Sequence, residues 1–326
     1  MKRIRYSLLA TTLLTALLTG LAQALNRGAI LWDVREDQAY KKGHIPGAIN
    51  IGKKLCVWLR TPGTRDYVPI ERISQHLGDW GIDPAKEIVV YGDKASVCTY
   101  FVIVTLELVG SEKMKAYHGG TDDWISAGRP LSTKPNALGP IALNLNMKPG
   151  VIVSTDEVIG KLKQNDVQFL DVRTPREYAG EDICALRGGH VPRAVNVPYE
   201  MNWVDPQALI KKEREGVSTK EGLALKPLEQ LKSLYAKLDP HREIIVYCQT
   251  SPRASVTATV LKDLGFFPSV RVYDSSWLGY GNRFDAPAEN ESFFDVFALT
   301  RKLTAMEQRI SALEMQMEKV REKKFR

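Results

Sequence analysis

The chain is short of the residues that announce several classes of function. It has only four cysteines in 326 residues: Cys56, Cys98, Cys184 and Cys248. None belongs to a CxxC pair, so a disulfide-stapled scaffold is not expected. Five scattered histidines and the lack of an HExxH pattern leave no basis for a zinc site, and no metal or cofactor is expected. Net charge is also absent where it would matter for nucleic acid. Three positive charges lie in the first 24 residues and a surplus of four follows from Arg301 onward. The overall +7 therefore leaves residues 25–300 without net charge. No basic nucleic-acid surface is indicated on that part.

The amino end has no acidic residue through Ala24. It has a basic start, an apolar stretch and Ala22-Gln23-Ala24, the pattern of a secretory signal cleaved after Ala24. Threonines and Gly20 interrupt the apolar stretch, which is short for a membrane span. This reading implies a periplasmic-type compartment, with membrane contact only through an uncleaved signal. A second reading competes with it. Set Asp33 against Asp171, and LLTALLTGLAQALNRGAILWDVR aligns without a gap to VIVSTDEVIGKLKQNDVQFLDVR. If the first copy has the strand and helix of the second, they fall inside the supposed signal, and the protein then stays in the cytoplasm.

That alignment is part of an internal repeat. Copy one has ILWDVR, GHIPGAINI, EIVVYGDKASVCTYFVIVTLELVG and HGGTDDWISAGRPL. Copy two has FLDVR, GHVPRAVNV, EIIVYCQTSPRASVTATVLKDLGF and VYDSSWLGYG. Continuous Val and Ile strands alternating with helical patterns indicate α/β domains, each an open, mainly parallel sheet flanked by helices. We expect domains over residues 25–130 (with earlier elements from about residue 13 if the end is not cleaved) and 150–285. The Pro- and Asn-rich segment 131–149 is an ordered linker. Asp33 and Asp171 end strands and can hold loop amides or the neighbouring Arg35 and Arg173. His44 and His190, in matching GH[IV]P turns, are assigned to turn support.

The two copies differ at one loop. After EIIV comes YCQTSPRAS, in which Cys248 to Arg253 link a strand to a helix at the carboxyl edge of the sheet, where ligands bind in this architecture. Converging amides and the helix amino end favour a thiolate on Cys248. Arg253 adds a charge and a planar fork for an oxyanion. Gln249, Thr250 and Ser251 add polar contacts, while Pro252 has no amide hydrogen. In copy one Gly92 replaces the cysteine and Val97 the arginine. Cys98 falls one place later and is expected to pack in a helix core. Cys184, in EDICALRGG, is a loop cysteine, either free, disulfide-bonded or a resolving thiol; spacing selects no partner.

Together these stretches resemble the tandem-domain rhodaneses, the thiosulfate sulfurtransferase family, over nearly all of residues 25–285. The resemblance implies two rhodanese-like domains, the nucleophile Cys248 in the second, and double displacement. The thiolate takes the outer sulfur of a small anionic donor such as thiosulfate, releases sulfite, and passes the persulfide sulfur to a thiophilic acceptor. A substrate-facing arginine is expected after the second Asp-Val-Arg. Arg176 is near, but Glu177 competes for that position. Asp274 is read as a rim or packing residue, and Trp203 and Trp277 as packing residues or pocket walls. The basic end of the loop favours thiosulfate over mercaptopyruvate. Four residues between Cys248 and Arg253 make a tighter cradle than the phosphatase loop. Phosphatase or arsenate reductase, and a non-catalytic binding module, remain the alternatives.

The carboxyl end, residues 291–326, reads as a helix outside the usual unit. Val296, Leu299, Leu303, Met306, Ile310, Leu313, Met317 and Val320 recur at steps of three and four. In a parallel dimer Lys302 faces Glu307 and Arg309 faces Glu314. A homodimeric coiled coil over 296–320 is expected, and a helix packed on its own domain is the alternative.

Overall fold

The computed structural model describes residues 24, 26–52, 55–215, 221–265 and 267–324. Strands β1 (Ile30–Asp33), β2 (Ile49–Asn50), β3 (Ile88–Tyr91) and β4 (Met114–Tyr117) form a parallel sheet in the order β2-β1-β3-β4. A second parallel sheet has the order β5-β10-β9-β6-β8. Its strands are β5 (Ile152–Val153), β6 (Val167–Asp171), β8 (Val195–Asn196), β9 (Glu243–Tyr247) and β10 (Val270–Tyr273). The orders match except for β5. Its counterpart at the repeat offset, like residues 1–23 of the expected signal, lies outside the described residues. Ala24, the last residue of that expected signal, is buried beside Leu31 and Tyr40.

The runs ILWD and IVVY are buried along their whole length, as strands covered on both faces must be. Helices α1 (Asp37–Lys42), α2 (Leu55–Trp58), α3 (Ile70–Asp79), α4 (Val97–Leu108) and α5 (Gly120–Ser126) accompany the first sheet. The second has α6 (Thr155–Lys161), α7 (Pro175–Tyr178), α8 (Ala208–Glu215), α9 (Leu228–Leu234), α10 (Pro252–Leu264) and α11 (Ser276–Gly281). Helix α4, VCTYFVIVTLEL, is apolar on every side because it is buried on every side. It packs against α10, so that Phe101, Val104, Val256 and Val260 belong to one core shared by both halves. Burial stabilises each such side chain by about 1.5–3 kcal/mol. Lys262 Nζ pairs with Glu107 Oε2 at 2.5 Å across the same junction.

The segment after α5 follows the first domain in extended form. Ser132 and His44 exchange backbone hydrogen bonds of 2.8 and 2.9 Å, and Lys148 N donates to Leu108 O at 2.7 Å. Gly81, at φ +70°, lets the chain pass: a Cβ there would stand 2.4 Å from the Gly139 carbonyl oxygen.

The repeated polar residues have the same supporting contacts in both copies. Asp171 accepts from Arg173 N at 2.9 Å and from its guanidinium at 2.6–3.1 Å. Asp33 and Arg35 repeat this arrangement. His190 Nδ1 donates to Tyr178 O at 2.8 Å, and its ring stacks on Tyr178 with centroids 3.6 Å apart. His44 does the same with Tyr40. Tyr247 OH accepts from Val191 N, as Tyr91 OH does from Ile45 N.

Two features depart from the sequence reading. His190 ends a short strand, β7 (Arg187–His190), rather than a bare turn. Residues Glu289–Phe293 form β11 antiparallel to β7, so the carboxyl helix does not begin at residue 291. The apolar spacing could not show this pairing, because the strand is built of polar Glu289, Asn290, Glu291 and Ser292, which join β7 through backbone bonds and through the side chains of His190 and Arg187. Helix α12 then runs from Val296 to Lys324. Its eight apolar heptad positions are between 41% and 68% exposed, so the packed-back alternative does not hold.

Candidate active site

The loop from Cys248 to Ser251 joins β9 to α10 at the carboxyl edge of the second sheet. Cys248 is only 1% exposed. Ser251 takes φ +84°, turning the chain into the helix, and Pro252 fills the first helical position, where a missing N–H costs nothing. The segment before and into α11 cradles the loop. Ser276 Oγ accepts from Cys248 N at 3.2 Å and Ser251 N at 3.1 Å, and donates to Tyr273 O at 2.9 Å. Trp277 N donates to Cys248 O and Leu278 N to Gln249 O, both at 3.0 Å. Two of the loop amides are thus already used. Those of Gln249, Thr250, Arg253 and Ala254 have no acceptor among the described residues. They and the amino end of α10 leave free donors of the kind that can bind an anion.

The first domain holds the same loop without the chemistry. At an offset of 156, Ala95 (φ +65°) matches Ser251, Gly120 (φ +54°) matches Ser276 (φ +55°), and Thr121 N donates to Gly92 O as Trp277 N does to Cys248 O. A non-glycine residue in this left-handed region carries a cost of about 1–2 kcal/mol, which Ser276 bears and Gly120 avoids. The loop shape therefore belongs to the fold, and Cys248, Arg253 and the Ser276 hydroxyl are what the second copy adds.

Arg253 does not hold its fork open. Its Nη1 and Nη2 donate to both oxygens of Glu177 at 2.8 and 2.7 Å. Glu177 is itself fixed by a capping box with Thr174 at the start of α7. Burial would raise the Glu177 carboxyl, but Arg253 and the Thr174 amide pull it down to about 2. Its folded value lies below the ordinary unfolded value of about 4.3. The pair thus stabilises the fold fully above that value and loses its contribution as pH falls towards 2. Burial opposes the Arg253 charge, yet Glu177, Cys248 and Glu200 around it more than restore it. Glu200, half-buried, is raised by burial first, with its own backbone and Arg253 opposing and Glu177 adding a smaller push.

The other expected residues fall into two groups. Gln249 Nε2 donates to Cys184 O at 2.6 Å, and its Oε1 is buried with no partner among the described residues. The Ser251 hydroxyl is likewise buried and unpartnered there. Thr250 O accepts from Arg60 Nη2 at 3.4 Å. Arg176, in contrast, is not brought to the loop. Its side chain is 68% exposed and paired with Glu181 and Asp182, while its neighbour Glu177 turns inward. Trp203 and Trp277 are fully buried, and Arg173 lies 4.6 Å over the Trp277 ring. Cys98 is buried as expected, but it is bonded to Cys56 of α2 in a disulfide across 42 residues of chain. Cys184 is an exposed free thiol. Sequence reading missed Ser276, Arg60, Glu200 and the disulfide. Ser276 sits in the repeated YDSSW stretch, which was a usable signal; the others depend on contacts between distant segments.

Comparison with known proteins places this geometry. The rhodanese-like domain family matches residues 18–127 and 154–283. The thiosulfate sulfurtransferase of Azotobacter vinelandii is 32% identical over 262 residues, 80% of this chain and 90% of that one. That of Corynebacterium glutamicum is 32% identical over 283 residues, 81% and 83% of the two chains. The sulfur carrier protein TtuD of Thermus thermophilus is 30% identical over 262 residues, 76% and 86%. Among solved structures, the anaerobic ergothioneine biosynthesis enzyme of Chlorobium limicola superposes with a TM-score of 0.66 at 22% identity, a likeness of fold alone. The match covers 80% of this chain and 64% of that one. Two matched domains, one with the cysteine loop and one without, make this chain a member of the rhodanese family.

Proposed function

We propose that this rhodanese-type sulfurtransferase moves the outer sulfur of thiosulfate through Cys248 to cyanide or a cellular thiol. The Cys248 thiolate attacks the outer sulfur, the sulfur–sulfur bond of the donor breaks, and sulfite leaves with the bonding pair. A thiophilic acceptor then attacks the terminal persulfide sulfur and returns Cys248 as thiolate. The observation that carries this reading is the contrast between two loops of one shape, of which only the second holds a cysteine among unpaired amides. Those amides and the helix amino end stabilise the thiolate, the departing sulfite and the persulfide. The relatives named thiosulfate sulfurtransferase support the donor.

The test is mass spectrometry of the protein after thiosulfate treatment. Cys248 is expected to gain the mass of one sulfur atom, lost again on adding cyanide. Faster turnover with mercaptopyruvate than with thiosulfate would overturn the donor assignment. Because Glu177 neutralises Arg253, selectivity for the dianion rests chiefly on the loop amides.

The reading extends to partner and compartment. The exposed seam of α12, with Lys302 and Arg309 set to face Glu307 and Glu314 of a second copy, supports a parallel homodimer. Removing residues 301–326 should yield a monomer on sedimentation that retains sulfur transfer; a full-length chain that sediments as a monomer at micromolar concentration refutes the dimer. The Cys56–Cys98 disulfide supports an oxidising compartment reached by export. Sequencing the mature amino terminus tests this: a start at Leu25 supports export, and a retained leader with its first-domain elements supports the cytoplasmic reading.

A further inference from the structure

The first domain lacks a nucleophile but reaches the loop that has one. Arg60, two residues beyond α2, is buried between the halves. Its Nη1 pairs with Asp274 Oδ1. Its Nη2 donates to Asp274 O at 2.8 Å and to Thr250 O at 3.4 Å. Tyr67 N, across an isolated bridge from Arg60, donates to Asp274 Oδ2 at 2.7 Å. The Arg60 guanidinium lies 4.7 Å from the centre of the Tyr67 ring and 5.4 Å from that of Phe101. The Cys56–Cys98 disulfide ties α2 to α4 just before Arg60. Arg60 thus grips both walls of the site: Thr250 in the cysteine loop, and Asp274 two residues before the Ser276 that holds the Cys248 amide.

The repeat provides a comparison. At the same offset His118 matches Asp274, and it faces the second domain as Asp274 faces the first. Its Nε2 contacts Leu223 O at 2.8 Å and its ring lies 5.2 Å from that of Trp203, itself part of an isolated bridge with Leu225. Each half therefore meets the residue that follows β4 or β10 of the other through a bridged segment. On the first-domain side the contact is His118 with Leu223 and Trp203, and on the cysteine side it is a buried arginine–carboxylate pair. A buried ion pair is a poor source of stability compared with apolar packing, so its presence, among the described residues, at the cysteine-side contact and not at His118 points to orientation.

We propose that Arg60, supplied by the first domain, is a positioning residue that fixes the Cys248 loop for sulfur transfer. This rests on Cys248 being the sulfur carrier. Three variants test it: Arg60→Met, Arg60→Met with Asp274→Asn, and Arg60→Lys. The double variant leaves neither charge buried without its partner, and should melt close to the wild type. Misplacement of the loop is expected to lower kcat by up to about a hundred-fold in Arg60→Met and the double variant, with KM for thiosulfate changed little. Arg60→Lys, which keeps the charge but not the fork, should fall between. Alkylation of Cys248 by iodoacetamide should slow in the same order. The proposal is overturned if the folded double variant has wild-type kcat and alkylation rate, which would make Arg60 a merely structural partner of Asp274. If wild-type Cys248 takes no sulfur from thiosulfate, the sulfur-carrier reading fails, and the alkylation order still reports whether Arg60 positions the thiol.

Discussion

Cys248→Ser is expected to leave a folded protein that transfers no sulfur, a loss of at least about a thousand-fold. The change exchanges one polarisable sulfur for oxygen at a site 1% exposed, and the loop around it is held by contacts of its backbone to Ser276, Trp277 and Leu278 that do not involve the thiol. The first domain already holds this loop shape with Gly92 in place of the cysteine. A serine alkoxide is neither available at neutral pH nor able to carry sulfur reversibly, so no slower route replaces the persulfide. The measurement is steady-state transfer from thiosulfate to cyanide, with the melting transition as control. Residual transfer within ten-fold of the wild type would mean that Cys248 is not the carrier.

The second large effect falls on stability. Asp171 and Arg173 are both essentially fully buried and joined by hydrogen bonds of 2.6–3.1 Å. Arg173 Nη2 also donates to Gly189 O at 2.7 Å, and its guanidinium is stacked over Trp277. Arg173→Met leaves the Asp171 carboxylate buried without its cation. Breaking such a pair costs about 3–5 kcal/mol and lowers the melting transition by roughly 10 °C. Changing Asp171→Asn in the same chain should recover part of the loss, because no unpaired charge then stays buried. A single variant that melts within a degree or two of the wild type would show that leaving the Asp171 carboxylate without its cation costs nothing. Arg35 and Asp33 provide the same arrangement in the first domain, with the arginine less deeply buried.

How much of this was legible in the sequence follows from the range of the interactions. The sheets and helices come from runs such as EIIVY and VCTYFVIVTLEL, whose pattern is local. The repeat supplied a comparison within one chain, and it separated Cys248 and Arg253 from the loop that carries them. Contacts between segments far apart were not legible. Arg60 meets Asp274 across 214 residues, and Cys56 meets Cys98 across 42. Arg176 illustrates a different limit. It and Glu177 are neighbours on one short helix, and only the direction of each side chain decides that Glu177 meets Arg253 while Arg176 stays on the surface. Spacing alone does not fix that direction.

The burial of Cys248 also governs who collects the sulfur and how long it lasts. A persulfide is a labile species, readily spent on any passing thiol or oxidant. Oxidation of cysteine follows exposure and thiolate character: Cys184 is exposed but its thiol is pushed up by burial and by Glu177, whereas Cys248 is secluded. A sulfur atom carried by Cys248, 1% exposed, would be sheltered from chance collisions. On the proposed reading, seclusion exchanges breadth of acceptors for lifetime of the bound sulfur.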